Sequence, residues 1–205
     1  APFTCKSLQS DNGDVVVIPP FPNFCGLPVD IPSLFLWFPL LGTERFGVNF
    51  IFHSKRFYPV EKRNNIMLPG STPIKQENGN KNSVVLKEIT EVLFAYFAKD
   101  ENAKTLIRQM CEVSFPNTSE DKVTCQFYKD MQELWNTHIP YWKILPINDE
   151  YYAITDARVK LLHRDFYSKL NLEQRLEYEP ILTYYAQLPQ KTDGYPYLMP
   201  STDLI

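Results

Sequence analysis

Glycine is scarce in this chain, with seven in 205 residues and no G-x-G anywhere. That excludes a dinucleotide fingerprint, which needs closely spaced glycines where the backbone approaches a pyrophosphate. One G-x-x-x-x-G spacing runs from Gly42 to Gly47. Val48-Asn49 follow it, so the lysine and hydroxyl of a nucleotide phosphate loop are missing. Histidine is nearly as rare. His53, His138 and His163 have no partner at a convincing ligand spacing, the nearest being His138 with Cys125. The four cysteines, Cys5, Cys25, Cys111 and Cys125, form no C-x-x-C and match no zinc framework. They read as buried free thiols in a reducing, cytoplasmic setting. No metal site is therefore expected. There is no G-x-S-x-G elbow, no signal peptide, and no apolar run near the roughly 20 residues a membrane helix needs. Positive charge is not in surplus. Lys plus Arg number 21 against 24 Asp plus Glu, for a net −3, which argues against general binding to nucleic acid or to a membrane surface.

What is present suits a globular domain. Hydrophobic residues make up 44% and charged residues 22%, and a chain this long buries enough apolar surface to fold without disulfides. Asn117-Thr118-Ser119 fits a glycosylation pattern with nothing beside it to indicate secretion. The chain opens on Ala-Pro and closes on Asp203-Leu204-Ile205, and is expected to be a piece of a longer protein.

Periodicity divides the chain in two. Strands are predicted at about 3–9 and 14–18, joined by the turn Asp11-Asn12-Gly13. Five prolines make 19–32 an irregular connection. Further strands are predicted over Ser33–Leu40 and Val48–Ser54. In the latter, Val48, Phe50 and Phe52 face one side and Asn49, Ile51 and His53 the other. Residues 69–82 read as a polar loop, with Asn82 or Ser83 capping the helix after it. That helix carries Val85, Ile89, Val92 and Tyr96 on its stripe, widened by Leu86, Leu93 and Phe97. Asp100 caps a second helix bearing Ala103, Leu106, Ile107 and Met110. A third spans about 120–137, with Val123, Phe127, Met131, Leu134 and Trp135 inward, and ends near Pro140. Tyr151–Ile154 looks like strand, and 156–170 and 172–188 admit helix. The expected class is α+β: a β-rich part at 1–82, a helical part at 83–190 packing on it, and an extended tail at 191–205.

The chemistry concentrates in Phe38–Leu68. An apolar run there ends in cations: Lys55, Arg56, Lys62 and Arg63, with Arg45 further back. Most such clusters are solvated loops. The alternative is an anion site, for which arginine is suited by its planar, always-charged fork.

The same segment resembles a known family. The string F-P-L-x-G-T-E-x-F (Phe38, Pro39, Leu40, Gly42, Thr43, Glu44, Phe46) is followed by Ser54, Phe57 and Pro59, then by Arg63, Asn64, Ile66 and Leu68. Together these look like the segment just after the ATPase domain of bacterial sacsin-like proteins in the GHKL superfamily. The match covers about 30 residues of the 205. More faintly, it is similar to the heat-shock protein 90 middle-domain motif D-S-x-x-L-P-L-N-x-S-R-E. Ser54 falls on its first Ser, Phe57 on its first Leu and Arg63 on its Arg, while Lys62 replaces a Ser and Asn64 a Glu. The resemblance implies a two-layer α/β transducer fold for the β-rich half. It implies that Arg63, with Lys62 as fallback, reaches the γ-phosphate of ATP held by a preceding domain. It also implies that ATP and Mg belong to the full-length parent, with no cofactor bound by these residues, so the chain alone is no enzyme and the parent is an ATPase with chaperone-like protein clients.

Two other readings stay open. Twelve Tyr, 14 Phe and three Trp fit a protein-interaction module without a catalytic part. The Lys55–Arg63 cluster could also meet nucleic acid, against which the net charge counts.

Overall fold

The computed structural model describes residues 5–19, 30–104, 113–116, 119–147, 150–153 and 155–156. Contacts divide the chain into two compact units: Ala1–Lys99 with Gln109–Ile139, and Asp100–Arg108 with Pro140–Ile205. The first unit contains a mixed four-stranded sheet and two long helices, an α+β arrangement.

Strands β1 (Lys6–Gln9) and β2 (Val15–Ile18) pair antiparallel as the predicted hairpin. Gly13, with φ of 79°, makes the turn, and the Ser10 N–H donates to the Asp14 carbonyl at 2.9 Å. Strand β4 (Ile51–His53) pairs antiparallel with β2 and parallel with β3 (Leu34–Phe35), so the sheet order is β1-β2-β4-β3. Of the strand predicted over Val48–Ser54 only Ile51–His53 is strand, but the alternation in burial across 48–53 is as read. Val48, Phe50 and Phe52 are buried, while Asn49, Ile51 and His53 are half-buried.

The strand predicted over Ser33–Leu40 is only two residues long. After Phe35 the chain doubles back in a tight turn that brings the Leu40 N–H to the Leu34 carbonyl at 3.1 Å and pairs Phe35 with Pro39. Cys5 is exposed rather than buried, because it leads into edge strand β1, and Cys125 is half-buried. Cys25 and Cys111 lie outside the described residues.

Residues 69–82 are not a loop throughout. Helical structure begins at Pro73, passes through a π-helix at Lys75–Gly79 and continues as α1 (Asn80–Phe97). Proline is favourable there because the first helical N–H groups have no partner to lose. Asn82 and Ser83 therefore lie inside the helix and cap nothing. The predicted stripe holds at Val85, Leu86, Ile89, Leu93 and Phe97, which are buried, and α1 packs on β1 and β2. Val92 and Tyr96 are half-buried.

Helix α3 (Lys122–Asn136) buries Thr124, Phe127, Met131 and Trp135. Val123 is not inward as expected. It is 43% exposed, because Thr124 takes the inward place and donates to the Pro69 carbonyl at 2.6 Å. Trp135 stacks on Phe50 at 5.8 Å and meets Phe94 edge-on at 5.0 Å, joining both helices to the sheet segment.

Asp121 fastens the start of α3. It accepts the Ser71 N–H at 2.8 Å, the Ser71 hydroxyl at 2.9 Å and the Val123 N–H at 3.0 Å. The Ser71 backbone bond chiefly, against the opposing effect of burial, holds the carboxyl down at about 2. A depressed carboxyl stabilises the fold fully above its ordinary 3.8 and loses that contribution as pH falls through about 2. Unfolding free energies of the wild type and Asp121→Ala should thus differ at pH 5 and converge as pH approaches 2. A gap that stays constant across that window would count against the assignment.

In the second unit, α2 (Asp100–Ala103) begins at Asp100 itself, and Lys143 pairs with that carboxylate at 2.6 Å. A 3-10 turn at Ile139–Tyr141 contains Pro140. Strands β5 (Leu145–Ile147) and β6 (Glu150–Tyr152) form an antiparallel pair. Strand β6 overlaps the strand read over Tyr151–Ile154, within the part otherwise expected to be helical. Leu106, Ile107, Met110, His163, the possible helices beyond residue 156 and the tail at 191–205 lie outside the described residues. No helix among the described residues is long and apolar enough to cross a membrane.

Candidate functional site

The segment after β4 forms a narrow hairpin. The Met67 N–H donates to the Tyr58 carbonyl at 2.8 Å, Pro59 bridges Ile66, and the Val60 N–H meets the Asn65 carbonyl at 2.9 Å. A final turn closes when the Arg63 N–H donates to the Val60 carbonyl at 2.8 Å. Glu61, Lys62, Arg63 and Asn64 form the exposed tip. The two predicted site residues thus stand together at the exposed end of the hairpin. Neither side chain pairs with a carboxylate among the described residues.

Arg63 has φ of 52°, the only positive φ of a non-glycine residue among those described. That left-handed conformation costs an arginine about 1 kcal/mol, whereas glycine would adopt it freely. A bulky residue kept there is held by its surroundings.

Those surroundings are specific. Asn82 of α1 is fully buried, and its amide grips both arms of the hairpin. Its Oδ1 accepts the Tyr58 N–H at 2.8 Å, while its Nδ2 donates to the Tyr58 carbonyl at 2.8 Å and the Met67 carbonyl at 2.7 Å. Gly79, one turn earlier on the same face, lets the helix approach closely. A Cβ at that position would lie 2.4 Å from the Leu68 carbonyl. The tip is braced from the other side by Gly42, whose own Cβ would lie 2.6 Å from the Asn64 carbonyl oxygen. Thr43 is buried beside it. Its hydroxyl donates to the Leu40 carbonyl at 2.9 Å and accepts the Leu34 N–H at 3.1 Å. The Gly42-Thr43-Glu44 string is thus a buttress for the hairpin.

Arg56 is no solvated surface cation. It pairs with Asp14 and Glu88, and the Asp14 side chain is 2% exposed. Ser54 donates to Asp14 and accepts the Arg56 N–H at 3.0 Å. Burial alone would raise the Asp14 pKa, but the Arg56 and Ser54 hydrogen bonds outweigh it and hold the carboxyl below its ordinary value. The paired carboxylates in turn raise the Arg56 pKa. The network ties β2, the end of β4 and α1 together at the base of the hairpin. Phe57, the other motif position, is buried. Lys55 lies over the Trp37 ring at 4.5 Å, and Arg45 is exposed. Of the five cations, Lys62 and Arg63 share the tip while Arg56 is already neutralised.

An open pocket of about 380 Å³ lies at the foot of the hairpin, lined by Arg56, Tyr58, Lys81, Val84 and Val85. Lys81 is committed to Glu77 at 2.9 Å. Among the described residues, no three His, Cys, Asp or Glu side chains gather as a metal set. The tip presents two exposed cations, Lys62 and Arg63.

No protein-family model, curated protein or solved structure matches the chain.

Proposed function

We propose that this chain is the middle, transducer-like domain of a sacsin-like, heat-shock protein 90-like GHKL ATPase. In this reading the sheet with its packed helices forms a two-layer transducer fold. Arg63 is delivered to the γ-phosphate of ATP held with Mg by an upstream domain of the same chain, and Lys62 stands as the fallback cation. The domain couples nucleotide state to rearrangement in a chaperone-like, cytoplasmic protein that handles protein clients. The observation that carries the reading is Arg63 itself, exposed at a braced tip, unpaired with any described carboxylate and held in a conformation that disfavours its side chain. A cation placed so can stabilise the charge that develops on phosphate during transfer.

Arg63→Ala in the full-length protein is expected to lower ATP turnover by on the order of a hundredfold, with Lys62→Ala the milder change. The Arg63 side chain is exposed and alanine keeps the Cβ that the left-handed backbone disfavours, so thermal unfolding should stay near the wild-type temperature. Turnover unchanged in a folded Arg63→Ala protein would remove the assigned role.

A protein-interaction module without catalysis is the second reading, favoured by the exposure of Trp37 (70%) and Leu41 (63%). It expects turnover indifferent to Arg63 and partner capture by the chain alone.

A further inference from the structure

The turn between β3 and Thr43 carries the chain's one exposed tryptophan among those described. Trp37 is 70% exposed and Leu41 63%, whereas Trp135 and Trp142 are buried. This exposure does not come from a loose loop. The Leu36 N–H donates to the Phe38 carbonyl at 3.1 Å, the Leu40 N–H to the Leu34 carbonyl at 3.1 Å, and the Thr43 hydroxyl to the Leu40 carbonyl. A turn whose backbone is already ordered loses little further backbone freedom on binding, which favours association. Trp and Arg are also the residues on which interface energy concentrates.

The turn is continuous with the Arg63 tip through the Gly42–Asn64 contact. Lys55 lies over the Trp37 ring at 4.5 Å, and Lys62 and Arg63 are next to Asn64, which Gly42 approaches. Glu61 at the tip and Glu44 in the turn are the acidic neighbours in sequence, and Glu44 already accepts the Gly42 N–H at 3.0 Å. On a chain whose net charge is −3, this is a local positive excess around an apolar anchor. Its complement is an acidic surface with an apolar recess.

We infer that the Trp37–Leu41 turn is the docking anchor for the domain whose anion Arg63 meets. That domain would be a protein surface offering an acidic rim around a recess that takes the Trp37 ring. The inference rests on the reading of the chain as a transducer domain, and it adds where the two domains touch. Docking through this turn places the Arg63 tip at the same interface, so apolar burial at Trp37 and Leu41 orients a contact that charge alone would leave loose.

The test is amide hydrogen exchange of the full-length protein with and without a non-hydrolysable ATP analogue and Mg, together with ATP turnover. Amides of residues 36–42 should exchange at least threefold more slowly with the analogue. Trp37→Ala and Leu41→Ala should abolish that slowing and cut turnover about tenfold, and Trp37→Phe should retain most of both. Both side chains are exposed, so these variants should fold. Unchanged exchange at 36–42, with turnover lost in Arg63→Ala, would overturn the anchor and keep the Arg63 reading. Slowed exchange at 36–42, with turnover indifferent to Arg63→Ala, would keep the anchor and remove the Arg63 reading.

Discussion

Asn82→Ala is expected to lower the unfolding free energy by about 3 kcal/mol, from three part-buried hydrogen bonds and the groups they leave behind. The Tyr58 N–H, which no other group in the hairpin satisfies, would lose its acceptor, and the Met67 carbonyl would lose its donor. For a chain of this size that is a fall in Tm of about 10 °C. Urea unfolding of the isolated chain measures it. A change under about 1 kcal/mol would mean that the hairpin is held by its own backbone bonds. Asn82→Asp should be no better, even though one oxygen still accepts the Tyr58 N–H. The other would face two carbonyl oxygens in a buried site, an arrangement that repels. On the proposed function, Asn82→Ala should also reduce ATP turnover of the full-length protein by loosening the tip.

Gly42→Ala is expected to cost about 3 kcal/mol, from strain and overpacking together. Gly42 has φ of 134°, a region that L side chains rarely adopt. The new methyl would meet the Asn64 carbonyl oxygen at 2.6 Å, and backbone cannot rotate away as a side chain would. Either the Trp37–Leu41 turn or the Arg63 tip must move. The denaturation midpoint reads the cost, and the rate of exchange at the Arg63 amide shows which side gives way, since its bond to Val60 opens if the tip shifts. A variant as stable as the wild type would contradict the close approach.

How much of this was legible in the sequence follows from which signals are periodic. The hairpin β1–β2, the alternation over 48–53 and the apolar stripe of α1 were readable because each side chain reports its own face. The start of α1 was not. Most of residues 71–81 are exposed, and their polarity does not distinguish a solvated loop from a solvated helical turn. A signal was present, however. Asn82 stands three residues before Val85 and four before Leu86, so extending the buried stripe backwards places it inside. Its amide suggested a cap, whereas the structure uses it to grip a neighbouring segment. The Arg56 network escaped for a different reason. Asp14 and Glu88 lie 42 and 32 residues away from Arg56, and nothing local marks which carboxylate a cation will meet. Within the cation cluster, spacing could suggest an anion site. Only the fold separates a neutralised Arg56 from an Arg63 presented at the tip.

The grip of Asn82 on both arms has a mechanical consequence. A loop that closes over a ligand by itself needs a hinge, usually a few residues free to change φ and ψ. This hairpin has none at its feet, since Tyr58 and Met67 are fastened to α1 and to each other, and Gly42 blocks the tip from folding back. The feet of the hairpin move only with α1, because displacing the backbone at Tyr58 or Met67 breaks the Asn82 bonds.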